Sequence, residues 1–99
     1  MPSSVLIPFA PGFEEMEGII LADVLRRGGV NVITASLSEG PVFAARKTVH
    51  LADTILSEVV AMNFDLIVLP GGIEGTKNLQ NSELLKSIQH KQVQDDRIT

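Results

Sequence analysis

The sequence predicts an α/β domain built around a parallel sheet. Short β-rich runs alternate with longer stretches of helical periodicity, the pattern that a parallel sheet and its crossover helices leave in a chain. Two of the runs, Val5–Phe9 and Leu66–Leu69, read as fully buried strands, apolar on both faces as a sheet covered from either side requires. Each of these two runs ends in a glycine-bearing turn, Pro11-Gly12 after the first and Pro70-Gly71-Gly72 after the second. The chain has 99 residues, 44% hydrophobic and 20% charged. That suits one well-buried domain, too short for two and too apolar for a disordered tail.

The first strand is Ser4-Val5-Leu6-Ile7-Pro8-Phe9. Pro8 has no N–H to give to a ladder, so it belongs near the strand's end. Ala10-Pro11-Gly12-Phe13 turns the chain into a helix from about Glu14 to Arg27, where Met16, Ile20 and Val24, with Leu21 and Leu25, recur as a wide apolar stripe. Gly28-Gly29 ends this helix, with Arg26 and Arg27 well placed for the negative end of its dipole. Val30–Ala35 reads as the second strand and completes a βαβ unit. Beyond a turn at Ser38-Glu39-Gly40-Pro41, Val42–Ala45 reads as a short strand with Val49–Leu51 as its hairpin partner. A short helix is expected over Ile55–Met62, with Ile55, Val59 and Met62 on one face. Asp65–Pro70 is the clearest buried strand. A loop is expected after Gly71-Gly72, until Ser82 caps a helix that Leu84, Leu85 and Ile88 carry to about Val93. Asp95-Asp96 reads as a turn, and Arg97-Ile98-Thr99 as the opening of another strand.

Charge and composition exclude several classes of function. There are 8 basic and 12 acidic residues, a net charge of −4, so the basic surplus of a nucleic-acid binder is missing. No apolar stretch approaches the ~20 residues that span a membrane, and Met1-Pro2-Ser3-Ser4 has neither the charge nor the apolar segment of a leader. A soluble cytoplasmic protein is the expectation. Cysteine is absent, so these residues supply no disulfide, no zinc–cysteine site and no cysteine nucleophile.

In an open parallel sheet, ligands bind beyond the carboxyl ends of the strands where the strand order reverses. Right-handed crossovers to either side of the first strand give the order 2-1-3, with the crevice between the ends of Val5–Phe9 and Leu66–Leu69. Glu14, Glu15 and Glu17 then stand at one rim and the amides of Gly71-Gly72 at the other. Acids in a first helical turn equally serve the helix dipole, and a double glycine equally serves a plain turn, so both readings stand beside the functional one. Glu17, three residues on from Glu14 and on the same helix edge, is the candidate for holding or donating a proton, because a crevice favours the protonated form of a carboxyl. Glu14 and Glu15 are expected to be solvated or paired with arginine. Glycines without Cβ let N–H groups approach a developing oxyanion. Gly71 to Lys77 lacks the spacing of a phosphate loop, since three residues rather than four separate Gly71 from Gly75 and Thr76 precedes Lys77, which argues against a third reading, an independent phosphate or nucleotide binder. His50 and His90 lack metal-ligand spacing and read as surface histidines. Arg46-Lys47 reads as a solvated basic pair or an anion site, and Met16 as packing in the core or at a subunit contact.

Val5 through Glu17 resembles the N-terminal signature of the ThiJ/PfpI superfamily, and within it the clade of the Parkinson-associated protein deglycase and its bacterial relatives. Asp23-Val24-Leu25-Arg26-Arg27-Gly28-Gly29-Val30 and Asp65–Gly72 resemble the same proteins at the same spacing. The likeness runs over essentially the whole chain. It implies a flavodoxin-like α/β parallel-sheet sandwich that forms a homodimer, needs no cofactor or metal, and acts on small carbonyl compounds. It implies deglycase, glyoxalase or chaperone activity; an older label is thiazole monophosphate biosynthesis. On this resemblance Glu17 takes the place of a glutamate beside a reactive cysteine, and Gly71 and Gly72 that of the anion pocket. Glu14, Met16, Arg27 and Arg46 fall at dimer-contact or anion-binding positions.

Members of that superfamily are about twice as long and carry the cysteine on the elbow after the strand that Arg97-Ile98-Thr99 would open. The expectation is therefore the N-terminal half of one such domain, residues 1–99, whose sheet and site a C-terminal half completes. The rival expectation is a non-catalytic stress chaperone or regulatory binding module of the same fold.

Overall fold

The computed structural model describes residues 3–94. The expected turn at Asp95-Asp96 and strand at Arg97-Ile98-Thr99 lie outside the described residues. The elements run β1 (Ser4–Phe9), α1 (Glu15–Arg27), β2 (Asn31–Ser36), β3 (Val42–Phe43), β4 (Val49–His50), β5 (Thr54–Ile55), β6 (Leu66–Ile67), α2 (Ile73–Gln80) and α3 (Glu83–Gln94), with a single 3₁₀ turn at Leu56–Glu58.

The main sheet has the order β5-β2-β1-β6, and its three pairings are parallel. β1 lies between β2 and β6, as the 2-1-3 reading requires, with β5 added at the edge. β3 and β4 form the expected antiparallel hairpin, Val42 opposite His50. Successive side chains of β1 leave opposite faces of the sheet. Leu6 joins a core with Ala35, Leu56, Phe64, Ile67, Leu79 and Ile88, while Val5, Ile7 and Phe9 join a second with Phe13, Ala22, Val32 and Val42. Helices α2 and α3 cover the first face; α1 and the hairpin cover the second. This is the α/β flavodoxin-like architecture.

The pairing of β6 is shorter than the sequence suggests, and Pro8 supplies the reason. Asp65 and Val68 donate their N–H groups to the carbonyls of Ser4 and Leu6, so even-numbered residues of β1 face β6. The next rung from β1 would need an N–H at Pro8, which has none. β6 therefore ends as a paired strand at Ile67, and after the Val68 N–H the chain continues unladdered to Gly71.

Three other expectations are corrected. Ile55–Met62 is not a helix: Thr54 and Ile55 pair with Ala35 and Ser36 on the edge of β2, and a lone 3₁₀ turn follows. The β-branched Thr54, Ile55, Val59 and Val60 favour this outcome. The segment after Gly72 is not a loop but α2, which tertiary contacts hold in place. On α1 the residues that face the sheet are Gly18 and Ala22, with Leu21 and Leu25 partly buried. Met16 (68% exposed), Ile20 (51%) and Val24 (58%) point outward, so Met16 is not a core residue.

Helix ends follow the sequence more closely. Glu14 is the N-cap of α1, its Oε1 accepting the Met16 N–H at 2.8 Å. Gly28 closes the helix and Gly29 takes φ +85°, a region open to glycine. Ser82 Oγ accepts the Leu85 N–H at 3.1 Å at the start of α3. Among the described residues no helix is long and apolar enough to cross a membrane.

Candidate functional site

The loops after β1 and β6 meet at the carboxyl end of the sheet. The Glu14 N–H donates to the Gly71 carbonyl at 2.9 Å, and the Gly71 N–H donates to Glu17 Oε1 at 3.0 Å. The acidic loop and the double-glycine loop therefore touch through main chain and carboxylate alike.

Gly72 is demanded by this contact, whereas a side chain at Gly71 would displace the Glu17 carboxylate. A Cβ on Gly71 would stand 2.9 Å from Glu17 Oε1. One on Gly72 would stand 2.6 Å from the Gly12 carbonyl oxygen, and Gly72 adopts φ +101°, which strains any other residue. The first turn of α2 leans on the same loop. Gly75 is so close that a Cβ would reach within 2.6 Å of Phe13 Cα, and Asn78 Nδ2 donates to the Pro11 carbonyl at 2.8 Å. Phe13, wholly buried and stacked on Phe9 with ring centroids 4.3 Å apart, fixes the loop from inside.

A cavity of about 350 Å³ opens over this junction, lined by Gly12, Glu14, Glu17, Ala45, Arg46, Gly72, Ile73 and Glu74. It brings together three glutamates, one arginine and the N-terminal turn of α2, a mixture suited to binding a small polar molecule and moving protons on it. Glu17 itself is exposed, not desolvated as a closed crevice would make it, because nothing among the described residues covers that side of α1.

The remaining sequence candidates are distributed unevenly. Glu14 and Arg46 line the cavity with Glu17 and Gly72; Gly71 touches Glu17 directly. Met16 is beside Glu17 but on the outer surface of α1. Arg27 is not brought to the cavity. It ends the same helix, about 15 Å along the axis from Glu17, and pairs with Asp23 at 2.9 Å. Glu15 meets Arg46 through the main chain rather than through a guanidinium pair. Glu15 binds the backbone N–H of Arg46 with both oxygens, at 3.1 and 3.0 Å, and accepts the Thr48 hydroxyl at 2.6 Å. That hydroxyl above all pulls the Glu15 carboxyl from 4.5 down to about 2.

His50 is not the surface histidine expected from the sequence. It is half-buried, edge-on to Phe13 and Phe9, with Nε2 at 2.8 Å from Thr48 Oγ1. Thr48 and His50 alternate on one face of a short strand, a signal present in the sequence but without meaning until the hairpin was placed against α1. His90 is exposed. Among the described residues no group of three or more His, Cys, Asp or Glu side chains is placed to hold a metal ion.

Comparison with known proteins adds the wider context. Residues 3–99 match the DJ-1/PfpI family. Protein dj-1beta of Drosophila melanogaster is 43% identical over 93 residues, which cover 93% of this chain and 50% of that protein. The glutathione-independent glyoxalase DJR-1.2 of Caenorhabditis elegans is 42% identical over 59 residues, 60% of this chain and 32% of that protein. The crystal structure of Drosophila melanogaster DJ-1beta superposes with a TM-score of 0.96 at 42% identity, covering 99% of this chain and 54% of that one. The chain thus spans half or less of the length of the curated relatives it matches most fully.

Proposed function

The chain belongs to the DJ-1/PfpI family, and on that premise we propose that it supplies half of the site of a cysteine-dependent deglycase- or glyoxalase-type enzyme acting on glyoxal, methylglyoxal or their early adducts. The observation that carries the reading is the Gly71 N–H to Glu17 Oε1 hydrogen bond at 3.0 Å, which joins an acid to an amide-lined turn at the switch point of the sheet. One relative, DJR-1.2 of Caenorhabditis elegans, is named a glutathione-independent glyoxalase.

On this reading a complementary C-terminal half brings the cysteine and covers Glu17. Its thiolate attacks the carbonyl carbon, forming a C–S bond as the carbonyl electron pair moves onto oxygen. Glu17 stabilises the thiolate and carries the proton, and the Gly72 amide favours the developing negative charge. Arg46 and Glu14 shape the pocket. Met16, Ile20 and Val24, exposed along one stripe of α1, support a homodimer of the complete protein through this face.

A second reading rests on the absence of cysteine among these 99 residues. It makes the chain a non-catalytic chaperone or regulatory module whose partner binding ignores Glu17.

The test is turnover of methylglyoxal by the chain together with a C-terminal half. Glu17→Gln and Glu17→Ala are expected to lower it by about 100-fold or more. Full activity in both variants refutes the role of Glu17. Intact masses of the copurifying species show whether a cysteine-bearing fragment accompanies the chain.

A further inference from the structure

We propose that Thr48 is a positioning residue: its hydroxyl links His50 to Glu15 and so holds the hairpin turn, with Arg46, on the rim of the Glu17 cavity. The inference deepens the functional reading above, and only its kinetic arm rests on that reading.

The turn joining β3 to β4 closes on itself through Ala44 N–H to Thr48 O at 2.9 Å and Lys47 N–H to Ala44 O at 3.0 Å. Lys47 takes φ +68°, a left-handed conformation that a side chain disfavours. The root of the hairpin is tied down by Gly12 N–H to Phe43 O and Ala45 N–H to Phe13 O, both 2.8 Å. Its tip is tied by one carboxylate, Glu15, which takes the Arg46 N–H and the Thr48 hydroxyl together.

The proton positions along this link follow from counting donors. With its carboxyl held down near 2, Glu15 is ionised at neutral pH and only accepts. Thr48 has a single hydroxyl proton, and the 2.6 Å contact commits it to Glu15 Oε2. The 2.8 Å contact between Thr48 Oγ1 and His50 Nε2 then requires the ring to donate, which fixes the Nε2–H form. His50, Thr48 and Glu15 thus donate in one direction, each bond polarising the next. The inner end of the link is anchored where the His50 ring meets Phe13 at 5.5 Å and 64°. The outer end is the amide of Arg46, one of the residues that line the cavity.

The test uses the chain with its C-terminal half. Thr48→Val removes the hydroxyl at nearly constant shape, Thr48→Ser keeps it, and Glu15→Gln weakens the acceptor. Thr48→Val and Glu15→Gln are expected to speed amide exchange of Arg46 by about tenfold. In the kinetic arm Thr48→Val should raise KM several-fold with kcat within about twofold, since Arg46 lines the pocket without touching reacting atoms. Thr48→Ser should match the parent in every readout. The parent's ring ¹⁵N spectrum should show the proton of His50 on Nε2. Unchanged Arg46 exchange in Thr48→Val, or a parent His50 with no proton on Nε2, overturns the proposal. An inactive parent counts against the enzymatic reading alone, because exchange and ring spectra still decide the role of Thr48.

Discussion

Replacing Gly75 by alanine sets two effects of opposite sign against each other. Gly75 lies inside α2 and is buried. On helix propensity alone alanine stabilises by about 1 kcal/mol. Against that, the new Cβ would stand 2.6 Å from Phe13 Cα, 2.8 Å from Phe13 N and 3.0 Å from Gly12 C. All three are backbone atoms, and the shortest contact is about 0.8 Å inside the 3.4 Å at which ordinary contact begins. Phe13 cannot retreat, because its ring is wholly buried and stacked on Phe9. The helix must move instead, lengthening the Asn78 Nδ2 to Pro11 O bond from 2.8 Å and drawing Gly71 away from Glu17. Overpacking of this kind costs about 1–3 kcal/mol, and the upper part of that range, about 2–3, applies because no side chain yields, so the net is a loss of about 1–2 kcal/mol. With a urea slope of about 1 kcal/mol per M the midpoint falls by about 1–2 M. Thr76→Ala, one residue on and exposed, is the control, with a gain of about 0.5 kcal/mol from propensity. If Gly75→Ala raises the urea midpoint as the control does, the close approach of α2 to the Phe13 loop is refuted.

Gly72→Ala meets both a positive φ and a carbonyl oxygen at 2.6 Å, whereas Gly29→Ala meets φ +85° in open space. Thermal unfolding should therefore show a loss of about 1–2 kcal/mol for Gly29→Ala and a clearly larger one for Gly72→Ala; equal losses remove the close contact from the explanation. Glu15 governs an acid limb. Its carboxyl is lowered from 4.5 to about 2 in the fold, chiefly by Thr48. The unfolded chain therefore binds this proton more tightly than the folded one, and the contribution is complete above about 4.5 and lost as pH falls toward 2. Urea midpoints across that window should fall less steeply in Glu15→Gln than in the parent, and parallel curves contradict the assignment.

The sheet was legible because its signals are local and redundant. Val5–Phe9 and Leu66–Leu69 are apolar where both faces are covered, and each ends in a glycine turn, so strand order and switch crevice followed from crossover handedness alone. The α2 helix was not legible. Gly75, Thr76 and Asn78 are weak helix formers, and the reason for a helix there is the space beside Phe13 and Pro11, more than sixty residues away in sequence. The length of β6 needed one further fact, that the missing N–H of Pro8 faces β6 rather than β2. The link from Glu15 through Thr48 to His50 was invisible for the same reason as α2, since it depends on how a hairpin lands on a helix.

On α1 the periodicity could be read but its phase could not. A hydrophobic repeat announces a face without saying what covers it, and three of its members, Met16, Ile20 and Val24, turn away from the sheet. The innermost positions, Gly18 and Ala22, are small because the Phe9–Phe13 stack leaves no room for larger side chains, and Leu21 and Leu25 pack at its flank. A Cβ on Gly18 would come within 2.7 Å of Phe13 Cε2 and 3.1 Å of Phe9 Cε1. That close seating of the helix also sets the site. Glu17 immediately precedes Gly18, so the depth at which α1 rests on the aromatic pair fixes how far its carboxylate reaches toward the Gly71 amide. The same glycine that lowers helix propensity places the acid at 3.0 Å from its partner, and the stripe displaced to the outside becomes the surface a second subunit is proposed to cover.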